Sequence, residues 1–211
     1  MTAAFATPPQ PAFGRVRLQP IQDLDRHAWR RVAQHFRDPE IAFLNGTPPN
    51  RLPVWLLRRV LKADARRVDR ATFGILDERG DYIGTIELYD IRRERATMGI
   101  IIGERSHWGR GYGPEAMTAL LTLAFEELQL HLVQLHTFAD NPRAQAAFVK
   151  VGFREVRRQP AAGGRVDVQM SLSKYSWEDR LRSLAEPHGT ASDALAAASD
   201  TPDGPNRARR P

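Results

Sequence analysis

Apolar residues along this chain recur with two periods, and the changes between them mark out elements. Val16-Arg17-Leu18 alternates and predicts a first strand. Asp23 is placed to cap a helix whose apolar positions are Trp29, Val32, Ala33 and Phe36. Asn45-Gly46-Thr47-Pro48-Pro49 reads as a loop, and Pro53 suits the first turn of a second helix carrying Trp55, Leu56, Val60 and Leu61. Two strands follow, over 72–76 and 82–88, joined by a hairpin turn over 77–81. Residues 96–102 are apolar almost throughout and predict a central strand.

Beyond residue 113 the helical period returns. Met117, Leu120, Leu121, Ala124, Phe125 and Leu128 define one buried face behind Pro114. A strand over 132–138 comes next. Asn141-Pro142 then opens a short helix with Ala144, Ala147, Phe148 and Val151 on one face. Gly152 fits its left-handed C-cap and Phe153 the accompanying hydrophobic contact. A final strand pair spans 153–158 and 165–172 around Ala161-Ala162-Gly163-Gly164. The predicted order is β-α-α-β-β-β-α-β-α-β-β, a mixed α/β sheet with antiparallel hairpins around one parallel crossover.

Between the central strand and its helix stands Trp108-Gly109-Arg110-Gly111-Tyr112-Gly113-Pro114. Alternating glycines let backbone N–H groups converge without interference from Cβ atoms, and the helix start adds free donors and the positive end of its dipole. That is a cradle for phosphates. It lacks the Gly-Lys-Ser/Thr of nucleotide hydrolases and the G-x-G-x-x-G of dinucleotide folds, so a different pyrophosphate ligand is expected.

Composition narrows the chemistry. With no cysteine among 211 residues, disulfides, thiolate nucleophiles and cysteine metal sites are excluded. The histidines His27, His35, His131 and His136 have no metal-ligand spacing and are read as structural, so no metal is expected. Net charge is +6, but the arginines are scattered without interleaved aromatics, which argues against nucleic acid as a partner. No secretory pattern and no long apolar run is present, so a cytoplasmic protein without membrane contact is expected. Residues 1–13 and 183–211 mix Pro, Ala, Ser, Gly and charged residues without periodicity and are expected to lack structure, leaving one domain over 14–182.

Taken together, these residues resemble the GCN5-related N-acetyltransferase (GNAT) superfamily over about Arg15 to Glu178. The glycine turn matches the family's Gln/Arg-x-x-Gly-x-Gly/Ala motif, with Trp108 in place of the usual Gln or Arg. Asn141-Pro142-Arg143-Ala144 through Val151-Gly152-Phe153 matches its second signature. Trp-Gly-x-Gly-Tyr is similar to the branch that acetylates ribosomal-protein N-termini. The resemblance implies a GNAT fold, mostly antiparallel with a splayed parallel pair flanked by helices. It implies acetyl-CoA as cosubstrate and a primary amine as acceptor, either a protein N-terminus or a small molecule. It also implies that Gly109, Arg110, Gly111, Tyr112 and Gly113 offer N–H groups to the pyrophosphate, that Asn141 bonds the pantetheine arm, and that Arg143 reaches a CoA phosphate. A side chain at Gly111 is expected to collide with that phosphate. A homodimer is also expected, as in relatives.

Acetyl transfer needs an unprotonated amine and a group to take its proton. Thr97 stands where the N-terminal-acetylating branch often carries Glu. Glu87 and Glu104 are therefore the candidate catalytic bases, with Glu87 preferred. Phe148 lies at the cofactor-side position where many relatives carry a proton-donating Tyr, and Tyr112 is the alternative donor considered. The missing acid motivates a second reading, a CoA-binding regulatory or degenerate module with little transfer activity.

Overall fold

A computed structural model describes residues 10–185. Eight strands form one sheet in the order β1-β2-β3-β4-β5-β6-β8-β7. They are β1 (Ala12–Phe13), β2 (Val16–Pro20), β3 (Ala71–Leu76), β4 (Tyr82–Tyr89), β5 (Arg95–Ile102), β6 (Leu132–Phe138), β7 (Arg154–Pro160) and β8 (Val166–Ser173). Every neighbouring pair is antiparallel except β5 and β6. The mixed α/β architecture read from the pattern is the one observed.

The helix over the core face is α4 (Tyr112–Thr122), which continues as a π turn over Leu123–Glu127. Met117, Leu120, Leu121, Ala124 and Phe125 are almost fully buried against Ile86, Leu88, Met98 and Val133. Each such leucine-sized side chain contributes about 1.5–3 kcal/mol by leaving water. Four more helices precede or follow it: α1 (Arg26–Arg37), α3 (Val54–Asp64), α5 (Pro142–Val151) and α6 (Lys174–Ala185). The sixth is α2 (Pro39–Asn45), and the sequence pattern predicts neither it nor α6.

Local chemistry explains the differences from expectation. Asp25, not Asp23, caps α1, its carboxylate accepting the Ala28 N–H at 2.7 Å, because residues 21–23 are taken up by a 3-10 turn. Along α3, Leu57 is buried and Leu61 and Val54 pack partly beside it, while Trp55 and Val60 face solvent. Only one side of α3 meets the rest of the protein, and the buried stripe is 54-57-61. The expected unstructured segments, 1–13 and 183–211, fall mostly outside the described residues. Within them Ala12–Phe13 pair with β2, and α6 runs to Ala185.

Candidate active site

The site begins where the parallel pair parts. β5 and β6 are in register from Arg95 against Leu132 to Met98 against Leu135, and no further. β5 stays paired with β4 through Ile102. The Gly103 N–H donates to the Ile83 carbonyl. Alternation then turns the main-chain groups of Gly99 and Ile101 toward β4, and those of Ile100 and Ile102 toward the gap. Consistent with this, the Ile102 carbonyl accepts the Trp108 indole N–H at 2.7 Å.

A cavity of about 350 Å³ occupies the gap. Its walls are Ile100, Ile101 and Ile102 of β5, the turn residues Trp108, Gly109, Gly111 and Gly113, the start of α4, and one face of α5. Ile41, Leu44 and Asn45 of α2 close it from above. Gly109 and Gly111 have φ of 73° and 94°, the left-handed region that glycine enters without penalty. Among the described residues, none of the N–H groups from Gly109 to Gly113 donates a hydrogen bond. With Pro114 lacking an N–H, those donors converge at the helix start with nothing to satisfy them but a ligand or solvent.

Six of the eight expected cofactor residues line this cavity: Gly109, Gly111, Gly113, Asn141, Arg143 and Phe148. Asn141 spends its side-chain oxygen on the Ala144 N–H as the α5 cap, which leaves its amide nitrogen as a donor. The Arg143 guanidinium stacks on Trp108 at 3.5 Å and has no carboxylate partner among the described residues. Trp108 thus bridges β5 and α5, which gives the substitution in the family motif a structural role. Phe148 is buried against Phe153 at the cavity wall. Lys150, passed over in the sequence, adds a second cation two helical turns after Arg143 on the same face.

The side chains of Arg110 and Tyr112 do not line the cavity. The Arg110 carbonyl accepts from Arg15 at 2.7 Å, and its guanidinium reaches back to the Ser106 carbonyl. The Tyr112 hydroxyl donates to Glu78 at 2.9 Å and its ring lies against His107, so it is not placed as a proton donor to the cavity. A β-carbon at Gly111 would point at Arg15, 3.2 Å away, rather than into the cavity. The expected collision with phosphate is corrected accordingly. Substitution there strains the backbone and disturbs the Arg15–Glu115 pair that holds the turn.

The two candidate bases lie in different surroundings, and neither lines the cavity. Glu104 accepts from His35 at 3.1 Å and pairs with Arg31, tying α1 to the strand end. His35 is buried, its Nδ1 has no partner, and burial holds its pKa below the usual histidine value. The neutral tautomer with Nε2–H donating to Glu104 is the one that fits. Glu87 sits beside Gly99 at the mouth of the gap, on the sheet face away from α4. Its carboxylate accepts from Arg70 at 2.8 Å and Thr72 at 3.2 Å. Burial pushes its pKa above the usual carboxylate range against the pull of those two partners.

The same open face carries groups the sequence reading did not assign. Tyr89 leans over Gly99, and His136 is joined to Asp167. The alternation in β6 was the available signal, since Val133, Leu135 and Thr137 take the core phase and leave His136 on the other. Among the described residues no group of side chains suited to a metal ion occurs, and no helix is long and apolar enough to cross a membrane.

Comparison with known proteins agrees with this geometry. The acetyltransferase (GNAT) domain family matches residues 15–154, and the chain belongs to that family. The spermidine N(1)-acetyltransferase of Vibrio cholerae is 32% identical over 85 residues, a match covering 39% of this chain and about half, 49%, of that enzyme. The crystal structure of spermidine N-acetyltransferase from Vibrio cholerae in complex with CoA and spermine superposes with a TM-score of 0.69 at 20% identity, covering 78% of this chain and 98% of that one. A phenylalanine-to-glycine variant of that enzyme gives 0.66 at 21% identity, covering 79% and 98%. These structures share the fold. The relatives named above are spermidine acetyltransferases, and they do not single out the branch that acetylates ribosomal-protein N-termini.

Proposed function

We propose that this protein transfers the acetyl group of acetyl-CoA to the primary amine of a small cationic molecule. The observation that carries the reading is the cavity itself, which joins unsatisfied N–H groups at a helix start to a parting of two parallel strands. An anionic pyrophosphate fits the first end, with Arg143 and Lys150 beside it. The extended pantetheine arm fits the second, where the main-chain groups of Ile100 and the Ile102 N–H face the gap, the Ile102 carbonyl being taken by Trp108. The thioester then lies at the open face, and a main-chain N–H there can polarise its carbonyl.

The acceptor side carries the carboxylates of Asp167, beside His136, and of Glu87, one oxygen of which is held by Arg70 and Thr72 while the other carries charge beside the gap. That charge suits a protonated amine arriving from solution, and the polyamine acetyltransferase relatives support the same class. Glu87 holds the cation, while Glu104 serves to fix α1. The Trp-Gly-x-Gly-Tyr turn favours a second reading, in which the acceptor is a protein N-terminus. A panel of polyamines, aminoglycosides, amino acids and short peptides, read by thiol release, separates the two. The chain contains no cysteine and gives no background in that assay. Turnover confined to peptides would overturn the small-amine reading, and none with any amine would favour a CoA-binding module.

A further inference from the structure

The open face has a second feature, which the reading above leaves without a role. Gly99 and His136 are the next residues in register after Met98 and Leu135, and so the first to lie on opposite sides of the gap. Both belong to the face away from α4. Glu87 is opposite Gly99 on the other side, so the row across the sheet runs Glu87, Gly99, gap, His136. With strands about 4.8 Å apart, roughly 10 Å separates the backbones of Glu87 and His136 before the parting widens it. Glycine between them adds no side chain of its own, and Glu87 and Tyr89 lean over it, each 3.6 Å from where a β-carbon would stand.

His136 is built as a proton-accepting unit. Its Nδ1 lies 3.1 Å from the Asp167 carboxylate, which also accepts from Gln159 at 3.2 Å. Asp167 is 15% exposed and His136 45%. The carboxylate fixes the tautomer with the proton on Nδ1, which leaves the Nε2 lone pair directed outward. Glu87 lacks that freedom, since one of its oxygens is shared by Arg70 and Thr72.

We infer that the His136–Asp167 pair takes the proton from the acceptor's ammonium group. This rests on the acetyltransferase reading. The ammonium N–H bond breaks toward Nε2 of His136, and the freed lone pair forms the N–C bond to the thioester carbonyl. The C–S bond then breaks, the nitrogen's surplus proton goes to sulfur, and the imidazolium returns its own proton to solvent. The charged and titratable groups facing His136 are Asp167 from β8, Glu87 and Tyr89 from β4, and Arg157 from β7, which stands opposite Gln169.

The test uses the full chain, with acetyl-CoA and the best amine from the panel. His136→Asn keeps a donor toward Asp167 but no titratable nitrogen. It should lower kcat by about a hundredfold, the scale of a lost general base, and remove the acid limb of the kcat profile. Calorimetric acetyl-CoA affinity should not change. Asp167→Asn should also lower kcat while leaving acetyl-CoA affinity unchanged, because the carboxylate no longer fixes the proton on Nδ1 of His136. An active protein whose His136→Asn variant keeps its rate and its acid limb overturns this inference alone. An unmodified protein that binds acetyl-CoA but acetylates no amine overturns the functional reading, and this inference with it.

Discussion

Gly113 tests the cradle more cleanly than Gly111 does. It lies in the first turn of α4, has no left-handed requirement, and a β-carbon there would sit 3.9 Å from Ile102 at the cavity wall. Gly113→Leu is therefore expected to fold normally and bind acetyl-CoA at least about tenfold more weakly, read by calorimetry beside a melting curve. Arg143→Ala should weaken acetyl-CoA binding too, and the loss should shrink as salt is raised, since an exposed charge contact is screened. Glu87→Gln is expected to raise the acceptor's KM more than it lowers kcat, separating a group that holds the cation from one that moves the proton. These roles were unequally legible in the chain. Glycines, Asn141 and Arg143 announce themselves by local spacing. His136 and Asp167 lie 31 residues apart, and only the pairing of β6 with β8 brings them together.

Short elements fix the walls of the site, and they were the hardest to read. Asp38-Pro39-Glu40 is a strong helix-start signal, and Asp38 does accept from the Glu40 and Ile41 N–H groups. A helix of seven residues, however, is too short to show a period, so the pattern predicts no separate element there. The long stripe of α4 was legible because five of its apolar positions meet the sheet. The 54-57-61 stripe of α3 was misplaced because Trp55 and Val60 are apolar yet face solvent. Since α2 lines the cavity, hydrogen exchange in α2 should slow when acetyl-CoA binds, while that of α6 should not change. The packing of α1 against Gly103, just past the end of β5, gives another expectation. A β-carbon at Gly103 would fall on the buried His35 ring, so Gly103→Ala should cost about 1–3 kcal/mol, measured by denaturant melts.

Burial of His35 links stability to pH for the protein as a whole. Its folded-state pKa is lowered, so the unfolded chain binds the proton more readily. The corresponding stability is present above the ordinary histidine value and is lost as pH falls through and below it. Melting temperature should therefore drop on acidification through that range, and less steeply in His35→Gln. The sheet's outer strands are β1, only two residues long, and β7, which carries Arg154, Arg157 and Arg158. Such edges resist pairing with another sheet. The overall α/β order was legible from the pattern because each long strand and helix keeps one period. The parting of β5 from β6 was not, because it depends on where a register stops.

All of the chemistry proposed here depends on acetyl-CoA entering that parting with its pyrophosphate on the glycine turn. Calorimetric titration of the purified protein with acetyl-CoA tests this most directly. The account predicts one site of micromolar affinity, weakened by Gly113→Leu and by Arg143→Ala. Folded protein that shows no binding, or binding indifferent to both substitutions, would contradict it.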